Sequence, residues 1–222
     1  MKDYKPIMSF DNSVAETYRD IERGDEVVAV TFLEQLAGRG PALELAIGAG
    51  RIALPLAARG IRVDGIDISP AMLAQLRTKP GGKEISMAVG DFADVPVEGN
   101  YSLIFVVWNS LFNLLTQEDQ VRCFQNVAGH LTNEVDAEAI LVDEVRLDVL
   151  RHDMSTQMIE ESHVSLSAAG VRLNPVVQRY AWPAELDLMA RVAGLRLKQR
   201  WGGWNREPFN STSSTHISVY GR

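Results

Sequence analysis

The amino-acid sequence predicts an α/β fold, a mainly parallel sheet wound on both faces by helices, and three observations carry that prediction. Short, nearly continuous apolar runs alternate with helix-length segments between residues 42 and 131, the rhythm of strands buried on both faces. A glycine turn, Gly48-Ala49-Gly50, stands where the first of these runs meets a helix. Beyond residue 145 the texture changes to alternating apolar and polar positions, which predicts antiparallel strands instead of further β-α units. The 222 residues suffice for a single domain with its own core. The single cysteine, Cys123, leaves no internal disulfide and no multi-thiolate zinc site to stabilise it.

Residues 11–40 read as an N-terminal helical cap of two helices. Val14, Thr17, Tyr18 and Ile21 recur at helical spacing, and Val27 to Leu36 continue the pattern past Gly24 until Gly38 and Gly40 stop it. Residues 41–134 form the core of the domain. Ala42 to Ile47 is the first strand, and Arg51 to Arg59 the helix after the glycine turn, with Pro55 near its start. Ile61 to Asp67 is the second strand. Ser69-Pro70 opens the next helix as N-cap and first helical residue, with Met72, Leu73 and Leu76 as its buried stripe. Ile85 to Val89 and Tyr101 to Trp108 are the third and fourth strands. Thr116 caps a helix that runs to Leu131 and begins with Gln117-Glu118-Asp119, acidic as the helix dipole prefers. Residues 145–182 read as an antiparallel insertion, and residues 183–222 as a closing helix and two strands, Leu195 to Trp201 and His216 to Tyr220.

The net charge of −7 gives no general attraction for a phosphate backbone, so broad nucleic-acid binding is disfavoured. No apolar run is long enough to span a bilayer, and Met1 to Pro6 lacks the apolar stretch of a signal peptide. With one cysteine, this suits a reducing cytoplasm.

The run Gly48-Ala49-Gly50-Arg51-Ile52-Ala53 fits G-x-G-x-x-A between strand and helix, a site for a nucleotide-type cofactor: the glycines admit a ligand to the backbone, and the helix N-terminus offers free N–H groups. Asp67 ends the next strand, where a carboxylate can accept from both hydroxyls of a ribose. To this point a nicotinamide dehydrogenase fits equally well. Glu44 separates the readings. It lies inside the first strand, where an acid repels a pyrophosphate but favours the sulfonium and ammonium of S-adenosylmethionine. The plain alternative, a buried carboxylate satisfied by backbone N–H groups of the turn, is compatible with that role.

The segments Leu43 to Arg51 and Val63 to Leu73 resemble the first two motifs of class I S-adenosylmethionine-dependent methyltransferases. The likeness continues through Gly90-Asp91-Phe92 and Tyr101 to Leu115, covers residues 12–131 well, and extends more loosely over Pro183 to Tyr220. It implies a Rossmann-like, doubly wound sheet closed by a C-terminal antiparallel hairpin, with the 145–182 insertion as a substrate cap. It also implies cofactor contacts. Glu44, Ala46, Gly48 and Gly50 would line the methionine part, Asp67 the ribose, Ile68 and Met72 the adenine, and Asp91 and Phe92 the adenine edge. Val107 and Trp108 would sit near the transferred methyl, and Tyr18 would reach the cofactor from the N-terminal cap. One departure stands out. Where the family carries a Pro-Gly-Gly turn and an apolar fifth strand, this chain reads Thr132 to Glu138. Either Ala139 to Asp143 is that strand, or the segment already belongs to the insertion.

Methyl transfer from a sulfonium is an in-line displacement, so the protein supplies proximity, alignment and a dry site. An amine acceptor needs only to be unprotonated, whereas a hydroxyl gains from a general base; His163 on the insertion is the candidate. Asn109 and Asn113 follow the fourth strand and are candidates to orient a polar acceptor. Trp204, in Trp201-Gly202-Gly203-Trp204, is the candidate to stack on one. A metal is not expected. The resemblance favours a cytoplasmic enzyme with a small-molecule acceptor, methylated on nitrogen or oxygen, without nucleic-acid or membrane partners; a homodimer is left open. The alternatives are a protein or RNA methyltransferase, with a basic groove around Arg191, Arg196, Lys198, Arg200 and Arg206, and a non-catalytic module that binds S-adenosylmethionine.

Overall fold

The computed structural model describes residues 24–131, 140–141, 148–167 and 170–222. Helix α1 (Glu26–Ala37) leads into strand β1 (Ala42–Leu45), helix α2 (Ala53–Ala58), β2 (Val63–Asp67), α3 (Pro70–Thr78), β3 (Ser86–Val89) and β4 (Leu103–Phe105). A 3-10 turn (Ser110–Asn113) and α4 (Gln117–His130) follow. The four strands pair in parallel in the order β3-β2-β1-β4. The chain therefore steps outward from β1 on one side and returns to its other side with β4. That reversal splays the connections after β1 and β4 and opens a crevice at their carboxyl ends.

Local chemistry sets the element ends. Ser69 caps α3 by accepting from the Met72 amide at 3.3 Å, and Thr116 caps α4 by accepting from Asp119 at 3.0 Å. Pro55 is the third residue of α2, a position whose amide has no partner within the helix, so the helix tolerates it. The fourth strand is shorter than its apolar run. Only Leu103–Phe105 join the ladder, because Trp108 turns the chain with a left-handed φ of 54°. The sheet divides two apolar layers. One holds Phe32, Leu33, Ile52, Leu56 and Phe105 beneath α1 and α2. The other holds Leu43, Leu45, Ile104, Phe124 and Val127 beneath α4.

Strand β5 (Ile140–Leu141) pairs antiparallel with β10 (Ile217–Gly221), which pairs with β9 (Arg196–Trp201), giving a second sheet ordered β5-β10-β9. The described residues of the Ala139 to Asp143 segment, Ile140 and Leu141, are thus a strand beside the closing hairpin and not part of the sheet built by the insertion. A third sheet consists of β6 (Asp148–Asp153), β7 (Met158–Ser167) and β8 (Gly170–Arg179), all antiparallel. Residues 145–147 of the expected insertion lie outside the described residues. Helix α5 (Pro183–Val192) joins this sheet to β9.

The root of the third sheet is fastened by a buried polar hub. The Arg179 guanidinium donates to Gln120 Oε1 at 2.7 Å, Gln157 Oε1 at 2.8 Å and Glu185 Oε1 at 2.6 Å. Gln120 in turn donates to the carbonyls of Leu114 and Arg179. A buried guanidinium is tolerable here because each of these bonds replaces one to water.

Candidate functional site

A cavity of about 260 Å³ occupies the crevice at the carboxyl ends of β1, β2 and β4. Ten of the expected cofactor positions line it, Glu44, Ala46, Gly48, Asp67, Ile68, Met72, Asp91, Phe92, Val107 and Trp108, and so does one expected acceptor position, Asn113. Ala46 and Trp108, at the exits of β1 and β4, have φ of 57° and 54°. Two non-glycine residues held left-handed at the mouth of one cavity mark a site whose backbone is shaped for a ligand.

Asp67 is fixed by the backbone it faces. Its Oδ2 accepts from the Gly48 amide at 2.7 Å and its Oδ1 from the Ser69 amide at 2.8 Å. Burial pushes its pKa up and these amides pull it down. Each oxygen keeps lone-pair capacity for a further donor, as a vicinal diol would supply. Gly48 needs its positive φ of 55° to present that amide.

Glu44 is 2% exposed, and burial raises its pKa well above the ordinary carboxylate range. The Ala53 amide offsets part of this, the neighbouring charge of Asp67 adds to it, and Arg51 opposes it. Glu44 Oε2 is buried with no hydrogen-bond partner among the described residues. An orphaned carboxylate oxygen beside a second buried acid leaves room for a cationic donor. S-adenosylmethionine fits this donor set: its ammonium suits Glu44, its ribose diol suits Asp67, and when bound it supplies a methyl group activated on sulfur. Asp91 stands at the far wall, accepting from the Ala93 amide at 2.8 Å.

Three expectations fall elsewhere, and two rest on parts that the structure does not describe. Gly50 does not line the cavity; a Cβ there would meet Leu76 and Leu54 at 3.0 and 3.1 Å, so this glycine admits helix packing and not a ligand. Asn109 sits beside the cavity, its carbonyl accepting from Gln178 Nε2 at 3.4 Å. Trp204 is 7% exposed and packs edge-on against Phe32 with ring centroids 5.6 Å apart, its Nε1 donating to Asp25. It belongs to the core under α1 and to a separate shallow cleft, so it does not stack on an acceptor in this cavity. His163 stands in β7 opposite Asp148 and Asn174; its side chain lies outside the described part. Tyr18 lies outside the described residues. The basic groove that would support the protein or RNA alternative loses a member, since Arg200 is engaged by Asp187 at 2.5 Å and by Ser218 and Tyr220.

Residues given no role by the sequence join the lining: Arg51, Ser110, Leu114, Leu115 and Asp119. The Arg51 guanidinium lies 4.7 Å from the Trp108 ring centroid and 3.9 Å from Glu26, tying α1 to the crevice. Its position one step beyond Gly50 was the available signal. Leu114 and Leu115 gave none, because their placement depends on Gln120 gripping the Leu114 carbonyl.

Residues 42–134 match the family described as a methyltransferase domain. The chain is 24% identical over 201 residues to a cypemycin N-terminal methyltransferase of a Streptomyces species, covering 81% of this chain and 82% of that one. Among solved structures it resembles the CcbJ methyltransferase of Streptomyces caelestis, with 32% identity, a TM-score of 0.85 and coverage of 96% and 97% of the two chains. It shares its fold with the S-adenosylmethionine-bound amino pentose methyltransferase CalS10 of Micromonospora echinaspora, at 17% identity, a TM-score of 0.62 and coverage of 95% and 96%. An acid-bearing crevice at the strand reversal, a family match over the sheet that builds it and a full-length relative at 32% identity agree: the chain belongs to the class I S-adenosylmethionine-dependent methyltransferases, enzymes that use S-adenosylmethionine as cofactor.

Proposed function

We propose that this enzyme methylates a nitrogen or oxygen of a small organic molecule, and that an amine is the preferred acceptor. The observation that carries the small-molecule reading is the seating of the antiparallel sheet on the acceptor loop. Gln178 of β8 reaches the Asn109 carbonyl at 3.4 Å and Asn113 Oδ1 at 3.5 Å. In this reading a sheet anchored on that loop would cover the space beyond Val107 and Trp108, which suits an enclosed acceptor better than a polymer strand. We read the insertion at 145–182 as that cap, residues 41–134 as the cofactor-binding core, and the segment 11–40, which contains α1, as a second cover. The ion-paired state of Arg200 also weighs against a phosphate-tracking groove.

In this reading Glu44, Ala46 and Gly48 border the amino-acid arm of the cofactor and Asp67 takes the ribose. Ile68, Met72, Asp91 and Phe92 surround the adenine, while Trp108, Asn109 and Asn113 face the acceptor. The amine preference draws on the relative that methylates an N-terminus. It also draws on chemistry, since a neutral amine brings its own lone pair and a hydroxyl would call on a base such as His163. The test is transfer of label from S-adenosylmethionine to a short peptide with a free N-terminus, an amino sugar, their hydroxyl counterparts, and unfractionated RNA. Labelling of a small amine is expected, with His163→Ala retaining most of the turnover. Labelling confined to RNA would overturn the proposal.

A further inference from the structure

We propose that Lys79 is a positioning residue for the cofactor, acting through the glycine turn that it touches from behind. One face of α3 and its C-cap supports that turn. Met72 lies beneath Gly48, where an added Cβ would stand 3.4 Å from its Cε, and Leu76 lies beneath Gly50 at 3.0 Å. One turn further on, Lys79 Nζ donates to the Ala49 carbonyl at 2.8 Å. The two apolar contacts limit how far the turn can sink but do not set the tilt of its peptide planes. The Lys79 bond is the second anchor of the Ala49–Gly50 plane, whose amide donates to the Ile47 carbonyl at 3.0 Å.

That plane matters because the segment is conformationally expensive. Ala46, Gly48 and Gly50 are all left-handed, with φ of 57°, 55° and 79°. The Gly48 amide is already committed to Asp67 and the Gly50 amide to the Ile47 carbonyl. With its amide on Ile47 and its carbonyl on the Lys79 ammonium, the Ala49–Gly50 peptide is held at both ends against a flip that would place a carbonyl oxygen beside Glu44 and the cofactor. A charge-assisted bond is the stronger kind, and this one is half-buried. The inference rests on the reading that the glycine turn borders the amino-acid arm of S-adenosylmethionine, and it adds a residue outside the cavity that determines how that arm is received.

The experiment compares two cofactor fragments by calorimetry: S-adenosylhomocysteine, which carries the amino-acid arm, and methylthioadenosine, which lacks it. Lys79→Met is expected to weaken S-adenosylhomocysteine about five- to tenfold while leaving methylthioadenosine within about twofold, and Lys79→Arg to restore most of the loss. A general loosening of the fold would weaken both ligands together, so the ratio of the two affinities isolates the turn. Should Lys79→Met fail to fold, Lys79→Gln reads the same ratio with a neutral donor. The proposal is overturned if the substitution leaves the ratio unchanged. It falls together with its premise if the unmodified protein binds the two fragments equally well.

Discussion

Replacing Glu44 by glutamine removes a charge and preserves the shape of the side chain, and the structure gives the consequences opposite signs in the free and liganded protein. In the free protein the carboxylate is fully buried, one oxygen has no partner among the described residues, and Asp67 adds repulsion. Removing that burden is expected to stabilise the unliganded fold by about 1–2 kcal/mol near neutral pH. The pH dependence fixes the sign independently. Glu44 has a folded pKa above its unfolded value of about 4.5, so between the two the folded state holds the extra proton. Its contribution to stability therefore falls as pH rises from about 4.5 through the folded pKa, and Glu44→Gln is expected to abolish that fall. Cofactor binding goes the other way. Loss of a charge-assisted bond to the ammonium is worth about 1.5–3 kcal/mol, about ten- to more than a hundredfold in the dissociation constant of S-adenosylhomocysteine. Urea unfolding across pH and calorimetry measure the two halves. A variant that is less stable without ligand, or that binds as tightly as the parent, would refute the reasoning.

Two further perturbations test the frame around the site. Arg179→Met strips the hub of its cation and leaves Glu185, Gln120 and Gln157 short of donors in a half-buried setting; a loss of about 3–5 kcal/mol in urea unfolding is expected, and a loss under 1 kcal/mol would contradict the hub's role. His216 is buried beside Ser218, and burial lowers its pKa to about 4, with Arg200 adding to the effect. The unfolded chain then binds the extra proton between about pH 4 and 6.5, so this group adds stability as pH rises through that window, opposite to Glu44 and by at most about 3–4 kcal/mol. His216→Gln should flatten that part of the unfolding profile, and an unchanged profile would contradict the assignment.

What the sequence disclosed follows how local each feature is. The β-α rhythm, the Ser69-Pro70 start, the Thr116 cap and the placing of Glu44 and Asp67 at one crevice are written in adjacent residues or in one strand-helix-strand unit, and the structure contains them. Gly50 was misassigned because its motif position does not reveal whether a side chain or a ligand crowds it; the crowding comes from Leu76, in a different helix. Trp204 was misassigned for a related reason. An aromatic between glycines near the chain end gives no hint that Phe32, far away in sequence, takes its ring and Asp25 its indole N–H. The Arg179 hub was invisible because its partners come from α4, α5 and the turn after β6. The fifth strand was ambiguous because two residues carry no period, and pairing with β10 alone defines it.

The most direct test of the account is a crystal structure of the protein with S-adenosylhomocysteine. The account places the ammonium on the open oxygen of Glu44, both ribose hydroxyls on Asp67 and the adenine between Met72 and Phe92. A ligand seated away from the two acids, or a ribose held without Asp67, would contradict it.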